Sequence, residues 1–468
     1  MVRKALAAFA LICAAASALA QNLSAEELAR RAVERRAVEA VIWGMPVVNY
    51  DLMLQEMLTK TKGKVGQFIY WGRPLDWHNQ TLTPNPDTLY FMAFYNTKDA
   101  GPMVLEIPPA NGGSLNANLV TTWQVPLEDG GMFGIDKGAG AKFLFLPPGY
   151  KGTPPPGYTP LQLDTFGGYV LLRSNMKSPS DADVAASVAY GKRAKLYPLS
   201  QVANPPPTVF TDVQNIDFDS TIRYDSTFFV HLNRIVQSEP WLDRDRLMID
   251  RLKSLGIEKG KPFKPDAQMK QIMNRAAQEA HAWLAAKYDA GWPPFYEGTH
   301  WRPAAPLELV KSAEASFGLP DAYPSDQRGM AYHMAFIGIK HLGVGQFYLL
   351  CLQDKDGAAL DGGKNYRLHV PPKVPIQQYW SVTAYDRRTH ALIKGVSRAS
   401  RASNRTEIQK NADGSVDIYF GPAAPAGKES NWVPTKAGGG FELLFRLYGP
   451  TPGLRDGSWK LTDMEKVQ

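Results

Sequence analysis

Cysteine is almost missing from this chain: 468 residues hold two, Cys13 and Cys351. Cys13 falls in the N-terminal leader described below, so the mature chain keeps one thiol and forms no internal disulfide. Cys351 sits in the apolar run 347–352 and reads as a buried small hydrophobe. A surplus of one charge is missing too. Fifty-two Lys and Arg stand against 45 Asp and Glu, and loss of Arg3 and Lys4 with the leader leaves fifty against 45. No dense basic cluster exists, which excludes nucleic-acid binding and leaves only weak attraction to an anionic envelope surface. The chain also lacks the G-x-S-x-G elbow, the P-loop, the G-x-G-x-x-G fingerprint and the H-E-x-x-H zinc pair. Gly438-Gly-Gly440 is flanked by strand rather than helix and reads as a hairpin turn. Beyond the leader, no stretch approaches the roughly 20 apolar residues of a transmembrane segment. The eight histidines are scattered, and the closest pair, His333 and His341, would stand about 12 Å apart along a helix. No metal site is assigned, and no cofactor is indicated.

What is present begins with that leader. Arg3 and Lys4 precede an apolar run from Ala5 to Leu19, and Ala18-Leu19-Ala20 is a small-x-small cleavage site before Gln21. This is a signal peptide over 1–20, so the protein is expected to be periplasmic or secreted. A lipid anchor on Cys13 would need a small residue where Ile12 stands. The remaining length exceeds what one core supports, so two or more domains are expected.

Ser24-Ala-Glu-Glu27 is a capping box opening a helix to about Trp43, where Gly44 and Pro46 end it. From about 66 to 174 short β-like runs follow, at 89–95, 103–107, 119–125, 142–146 and 169–173. Helical periodicity returns over 182–342, with a stripe of Ile272, Ala276, Ala280 and Leu284, and a last helix expected over 327–342. Period-two alternation then resumes: Phe441, Leu443, Phe445 and Leu447 share one face, and Glu442 and Arg446 the other. The expected fold class is α+β, mainly β. It comprises an N-terminal β domain with its leading helix (24–181), a helix-rich insert (182–342) and a C-terminal β domain (343–468), with antiparallel sandwiches as the β architecture.

Candidate ligand-binding residues cluster in three places. Pro84 and Pro86 restrict their predecessors in Thr83-Pro-Asn-Pro-Asp-Thr-Leu-Tyr90, so Asn85 and Asp87 either form Asx turns or present a rigid polar pair, with Tyr90 beside them. Trp123-Gln124 and Glu128-Asp129 are placed on the same rim. Alternation over 379–386 puts Tyr379, Ser381, Thr383 and Tyr385 on one face, which either meets water or lines a pocket. Arg398 and Arg401, in a Ser/Arg-rich loop, could hold an anion bidentately; Asp87 and at least one of them are expected to share an inter-domain cleft.

Several motifs carry a family resemblance. They are Val41-Ile-Trp-Gly-Met-Pro-Val47, Pro84-Asn-Pro-Asp-Thr-Leu-Tyr90, Asn365-Tyr-Arg-Leu-His369, Tyr379-Trp-Ser-Val-Thr383, Tyr419-Phe-Gly-Pro422, Gly427-Lys-Glu-Ser-Asn-Trp432 and Arg446-Leu-Tyr-Gly-Pro450. Together they resemble a bacterial two-domain family with domain of unknown function 1254 at the N-terminus and domain of unknown function 1214 at the C-terminus. The resemblance implies two jelly-roll-like β domains with a helical segment between them, and no established reaction. Members often carry an Arg-Tyr-Tyr-like run where this chain reads Asn116-Ala-Asn-Leu-Val-Thr-Thr-Trp123. Two functions stay open: a binding protein for a small molecule or glycan, or one assembling as a homo-oligomer; and a hydrolase or lyase with a pocket between the β domains. The absence of a recognisable nucleophile favours the first.

Overall fold

A computed structural model describes residues 23–335 and 338–467; the signal peptide expected over 1–20 lies outside the described residues. Ser24 caps the first helix, α1 (Ala25–Lys60), by accepting from the Glu27 N–H at 3.1 Å. The helix runs through Gly44 and Pro46 instead of ending there. From Ala40 to Met53 every residue is buried, and that packing outweighs the roughly 3 kcal/mol an interior proline costs. Gln124 Nε2 also donates to the Pro46 carbonyl at 2.7 Å. By length and composition α1 could cross a membrane, but 83% of its apolar window is buried inside the fold.

The N-terminal half forms β1 (Phe68–Tyr70), β2 (Asn79–Gln80), β3 (Leu89–Asn96), β4 (Met103–Ile107), β5 (Leu115–Thr121) and β6 (Pro126–Gly131). It continues with β7 (Ala141–Leu146), β8 (Thr159–Gln162), β9 (Gly167–Ser174), β10 (Lys195–Pro198), β11 (Phe210–Asp212) and β12 (Phe218–Asp219). Two large sheets result, ordered β11-β1-β3-β9-β5-β6 and β10-β4-β7-β8. Phe91 and Leu172 of the first share a cluster with Leu105 and Phe143 of the second, so the sheets pack face to face.

Helices α2 (Asp181–Gly191), α3 (Thr227–Ser238), α4 (Arg246–Leu252), α5 (Ala267–Ala290), α6 (Leu307–Glu314) and α7 (Ser325–Met334) follow. Ile272, Ala276, Ala280 and Leu284 form the buried stripe of α5. The C-terminal half adds β13 (Arg302–Pro303), β14 (Gln346–Cys351), β15 (Asn365–Val370), β16 (Trp380–Asp386), β17 (Ser400–Ala402), β18 (Val416–Gly421), β19 (Trp432–Pro434), β20 (Phe441–Tyr448) and β21 (Met464–Val467). Its sheets run β13-β14-β20-β16-β17 and β19-β18-β15-β21, joined by a cluster that includes Val382, Phe445, Leu368 and Ile418. The architecture is α+β, β-rich and two-domain. Cys351 lies in this second core, where burial pushes its thiol pKa up.

Several local expectations change. Pairing is antiparallel through the centre of each large sheet but parallel at three edges, β1–β11, β7–β8 and β18–β19. The strand expected over 119–125 ends at Thr121, because Gln124 adopts a left-handed turn conformation (φ 53°). The stretch read as a helical insert also supplies β10 and β11 to the N-terminal sheets and β13 to a C-terminal one. Helix α7 ends at Met334 rather than 342; buried Asn49 Nδ2 from α1 donates to the Tyr332 and Ala335 carbonyls, satisfying its last turn. Gly438–Gly440 joins strands of two different sheets, so it is a crossing turn and not a hairpin.

Candidate functional site

Alternation decides which side chains face the middle of the molecule. On β16 and β20 the directly opposed pairs are Ser381 with Arg446, Thr383 with Leu444 and Tyr385 with Glu442, so these six share one face. Tyr348 of β14 stands opposite Arg446 on the other side. This polar-aromatic face does not meet water: it is buried against the N-terminal half. There the six-stranded sheet presents a similar row, with Arg173 on β9 flanked by Tyr90 on β3 and Asn116 on β5.

The loop before β3 is clasped between the two sheets. Arg446 donates to the Thr83 carbonyl at 2.9 Å, Tyr385 to the Pro84 carbonyl at 2.6 Å, and Asn85 Nδ2 to the Tyr448 hydroxyl at 2.6 Å. Tyr379 reaches the Asp87 carbonyl at 3.3 Å. Within the loop, Asn85 Oδ1 accepts from the Asp87 N–H at 2.9 Å, the Asx turn that the two prolines favour. The cation for Asp87 is Arg405, at 2.8 Å. It is neither Arg398 nor Arg401. Arg401 stands opposite Val382, so it emerges on the sheet face away from Asp87, and its nearest carboxylate is Glu407 at 3.9 Å. Arg398 is partly exposed and donates to the Glu429 carbonyl.

Asp87→Ala should therefore destabilise the fold by about 2–4 kcal/mol, since it removes a buried carboxylate and leaves partly buried Arg405 without its anion. Urea unfolding of the variant measures it, and a loss under about 1 kcal/mol would mean the pair is solvated.

Between the sheets, walled by α6 and α7, lies a cavity of about 150 Å³. Its body is apolar, with Met53, Leu82, Met92, Leu171, Leu309 and Leu444 among the walls. Its polar end holds Arg173, Arg446, Tyr90 and Tyr348. The two arginines are 4% and 2% exposed. Arg446 donates to Thr383 Oγ1, the Thr83 carbonyl and the Tyr385 hydroxyl, all neutral acceptors. Arg173 donates to Asn118, and its Nε has no partner among the described residues. Neither forms an ion pair with a carboxylate among the described residues. Burial works against both charges, and the groups that raise their pKa are the surrounding tyrosines, neutral phenols at ordinary pH. Tyr348 feels both: burial pushes its phenol pKa up while Arg173 and Arg446 pull it back.

A second buried polar chain runs behind the α7 wall. Glu442 Oε1 lies 2.8 Å from His390 Nδ1, His390 Nε2 lies 3.0 Å from His333 Nε2, and His333 Nδ1 lies 2.8 Å from the Tyr224 hydroxyl. Tyr288 donates to Glu442 Oε2 at 3.1 Å, with Arg387 3.4 Å from the same oxygen. The ring of Tyr224 stacks on His281 at 3.9 Å.

Of the sequence-predicted residues, Tyr90 lines the cavity, while Asn85, Asp87, Tyr379 and Tyr385 form the clasp beside it. Trp123 packs on Trp43 in the helical core, with ring centroids 4.6 Å apart, and Asp129 holds the backbone at Lys340 and His341. Sequence reasoning missed Arg173, Tyr348, His333 and His390 as site residues. A signal existed for Arg446 and Glu442: two charges on the alternate face of an otherwise apolar strand. None existed for the histidine pair, 57 positions apart.

A family model described as a protein of unknown function (DUF1254) matches residues 65–198, and another (DUF1214) matches 345–452. No curated protein matches the sequence. The solved VPA0106 protein from Vibrio parahaemolyticus aligns at 18% identity over 93% of this chain and 100% of that one, with a TM-score of 0.59, a likeness of fold alone. An uncharacterized protein from Burkholderia cenocepacia aligns at 12% identity over 93% of this chain and 94% of that one, with a TM-score of 0.41.

Proposed function

The chain belongs to the two-domain family that joins DUF1254 to DUF1214, and on that premise we propose that it binds a small organic acid in the cavity between its two β units. The observation that carries this is the pair of buried guanidinium groups at one end of an apolar cavity, neither facing a carboxylate among the described residues. Burying an unpaired cation costs several kcal/mol, and a ligand carboxylate would supply the missing anion with the fork geometry arginine prefers. Tyr90 and Tyr348 stand ready as further donors.

The volume sets the size of the rest. A cavity of about 150 Å³ takes a benzene-sized body, which points to acids such as benzoate or hexanoate and away from a glycan. Among the described lining residues there is no serine, cysteine, histidine or carboxylate, which supports binding over hydrolysis. The proposal extends to export directed by residues 1–20, to jelly-roll-type sandwiches as the β units, and to a protein acting alone or as a homo-oligomer.

Calorimetry with hexanoate and benzoate, against hexanol and benzyl alcohol, tests it. The acids should bind at least about tenfold tighter than the matched alcohols, the least expected of one charge-assisted bond. Equal affinities would remove the anion from the proposal, and no binding by any of the four would end it.

A further inference from the structure

We propose that the Glu442–His390–His333–Tyr224 chain is an acid-operated latch on the cavity wall, closed while the two histidines share at most one extra proton and released when both are charged. The consequence for ligand exchange rests on the binding reading above; the latch itself rests on geometry.

Helix α7 has two jobs. Ala331, Met334 and Ala335 wall the cavity, while His333 points the other way into the chain. Thr83, at the cavity lip, joins the two: its N–H donates to the His390 carbonyl at 2.7 Å and its hydroxyl to the Met334 carbonyl at 3.1 Å. Thr83 and His390 both hold left-handed backbone (φ 40° and 56°), a conformation that persists only where the surroundings enforce it.

Proton counting then separates three states. With both rings neutral, Tyr224 O–H donates to His333 Nδ1, His333 Nε2–H to His390 Nε2, and His390 Nδ1–H to Glu442. One added proton is accommodated. It sits on His390 beside Glu442, and the bonds to His333 and Tyr224 reverse direction. A second proton is not. Both Nε2 atoms then carry hydrogens and face each other across 3.0 Å, two like charges in a buried place.

Among the described residues the surroundings offer that second charge no free anion. His281 and Tyr288 face the pair from α5, Tyr224 from the segment before α3, Arg387 and His390 from the loop after β16, and Glu442 from β20. On α7 itself, Arg328 and Tyr332 turn away to the Trp123 and Gln124 carbonyls. Among the described residues the one carboxylate in contact with the pair, Glu442, is already shared by His390, Tyr288 and Arg387, and nearby Asp289 is paired with Arg387. Burial first, then the charges of His390, His281 and Arg387, hold the His333 pKa well below the ordinary histidine value. The released state therefore binds more protons than the latched one. The latch is intact above the ordinary histidine pKa of about 6.5 and weakens as pH falls below it.

Hydrogen exchange of the full chain tests this at pH 7.5 and 4.5, with intrinsic rates corrected. Protection of 325–335 in the wild type should fall at least about tenfold relative to α1 on acidification, as a local opening. In His333→Gln, which hydrogen-bonds without titrating, the same ratio should stay nearly constant. At pH 5.5, where hexanoate is still mostly ionised, it should dissociate faster than at pH 7.5 from the wild type only. Parallel exchange of α7 and α1 at both pH values, or the same acid response in the variant, would overturn the latch. Failure of hexanoate to bind at any pH would instead count against the cavity reading, because the exchange result stands without ligand. Should His333→Gln not fold, NMR of histidine-labelled wild-type protein decides: two rings titrating independently at ordinary pKa values would overturn the proposal, and coupled titration in two steps would support it.

Discussion

Arg173→Met is expected to weaken hexanoate binding by roughly 10- to 150-fold while leaving the melting temperature unchanged or higher. The first number follows from one charge-assisted hydrogen bond, about 1.5–3 kcal/mol. The second follows from what Arg173 lacks: it is buried, has an unpartnered Nε and faces no carboxylate among the described residues. Replacing such a charge by a hydrophobe of similar volume is often neutral or stabilising. Arg446→Met should differ in a telling way. Its guanidinium holds the Thr83 carbonyl, Thr383 and Tyr385, so that variant should lose both binding and stability. Calorimetry paired with thermal melts reads both quantities. Wild-type hexanoate affinity in Arg173→Met would sink the claim that this end of the cavity holds an anion.

Glu442→Ala is expected to cost about 3–5 kcal/mol of stability at pH 7.5, the largest single-residue effect on this fold predicted here. The carboxylate is fully buried and takes bonds or charge from His390, Tyr288 and Arg387 together. Its removal leaves an imidazole N–H and a phenol without their acceptor and half-buried Arg387 with Asp289 alone. Glu442→Gln keeps the shape and one acceptor oxygen, so it should lose distinctly less. Urea unfolding of both variants provides the comparison, and a Glu442→Ala loss below about 1 kcal/mol would mean the carboxylate is not the hub of these contacts.

Much of this architecture was legible before any coordinates. The cap at Ser24, the stripe on α5, the strands near 89–96, 103–107 and 441–448, and the burial of Cys351 all follow from periodicity, turn residues and apolar runs. The misplaced boundaries share one cause: local signals were overridden by packing. Pro46 sits inside a helix because neighbouring elements bury that stretch completely, and α7 stops early because Asn49, nearly 300 positions away, caps it.

For the site, the sequence by itself determined which side chains stand together on a strand, since a pleated backbone alternates faces whatever surrounds it. It thereby placed Tyr379 with Tyr385, and Glu442 with Arg446, and it confined Asn85 and Asp87 to a rigid turn. Only the tertiary structure decided that this face lies against Arg173 and Tyr90 instead of water, that Arg405 and not Arg398 or Arg401 answers Asp87, and that His333 meets His390. Alternation is a property of a few consecutive residues. The meeting of two sheets from opposite halves of the chain depends on how the whole core closes, which no local pattern records.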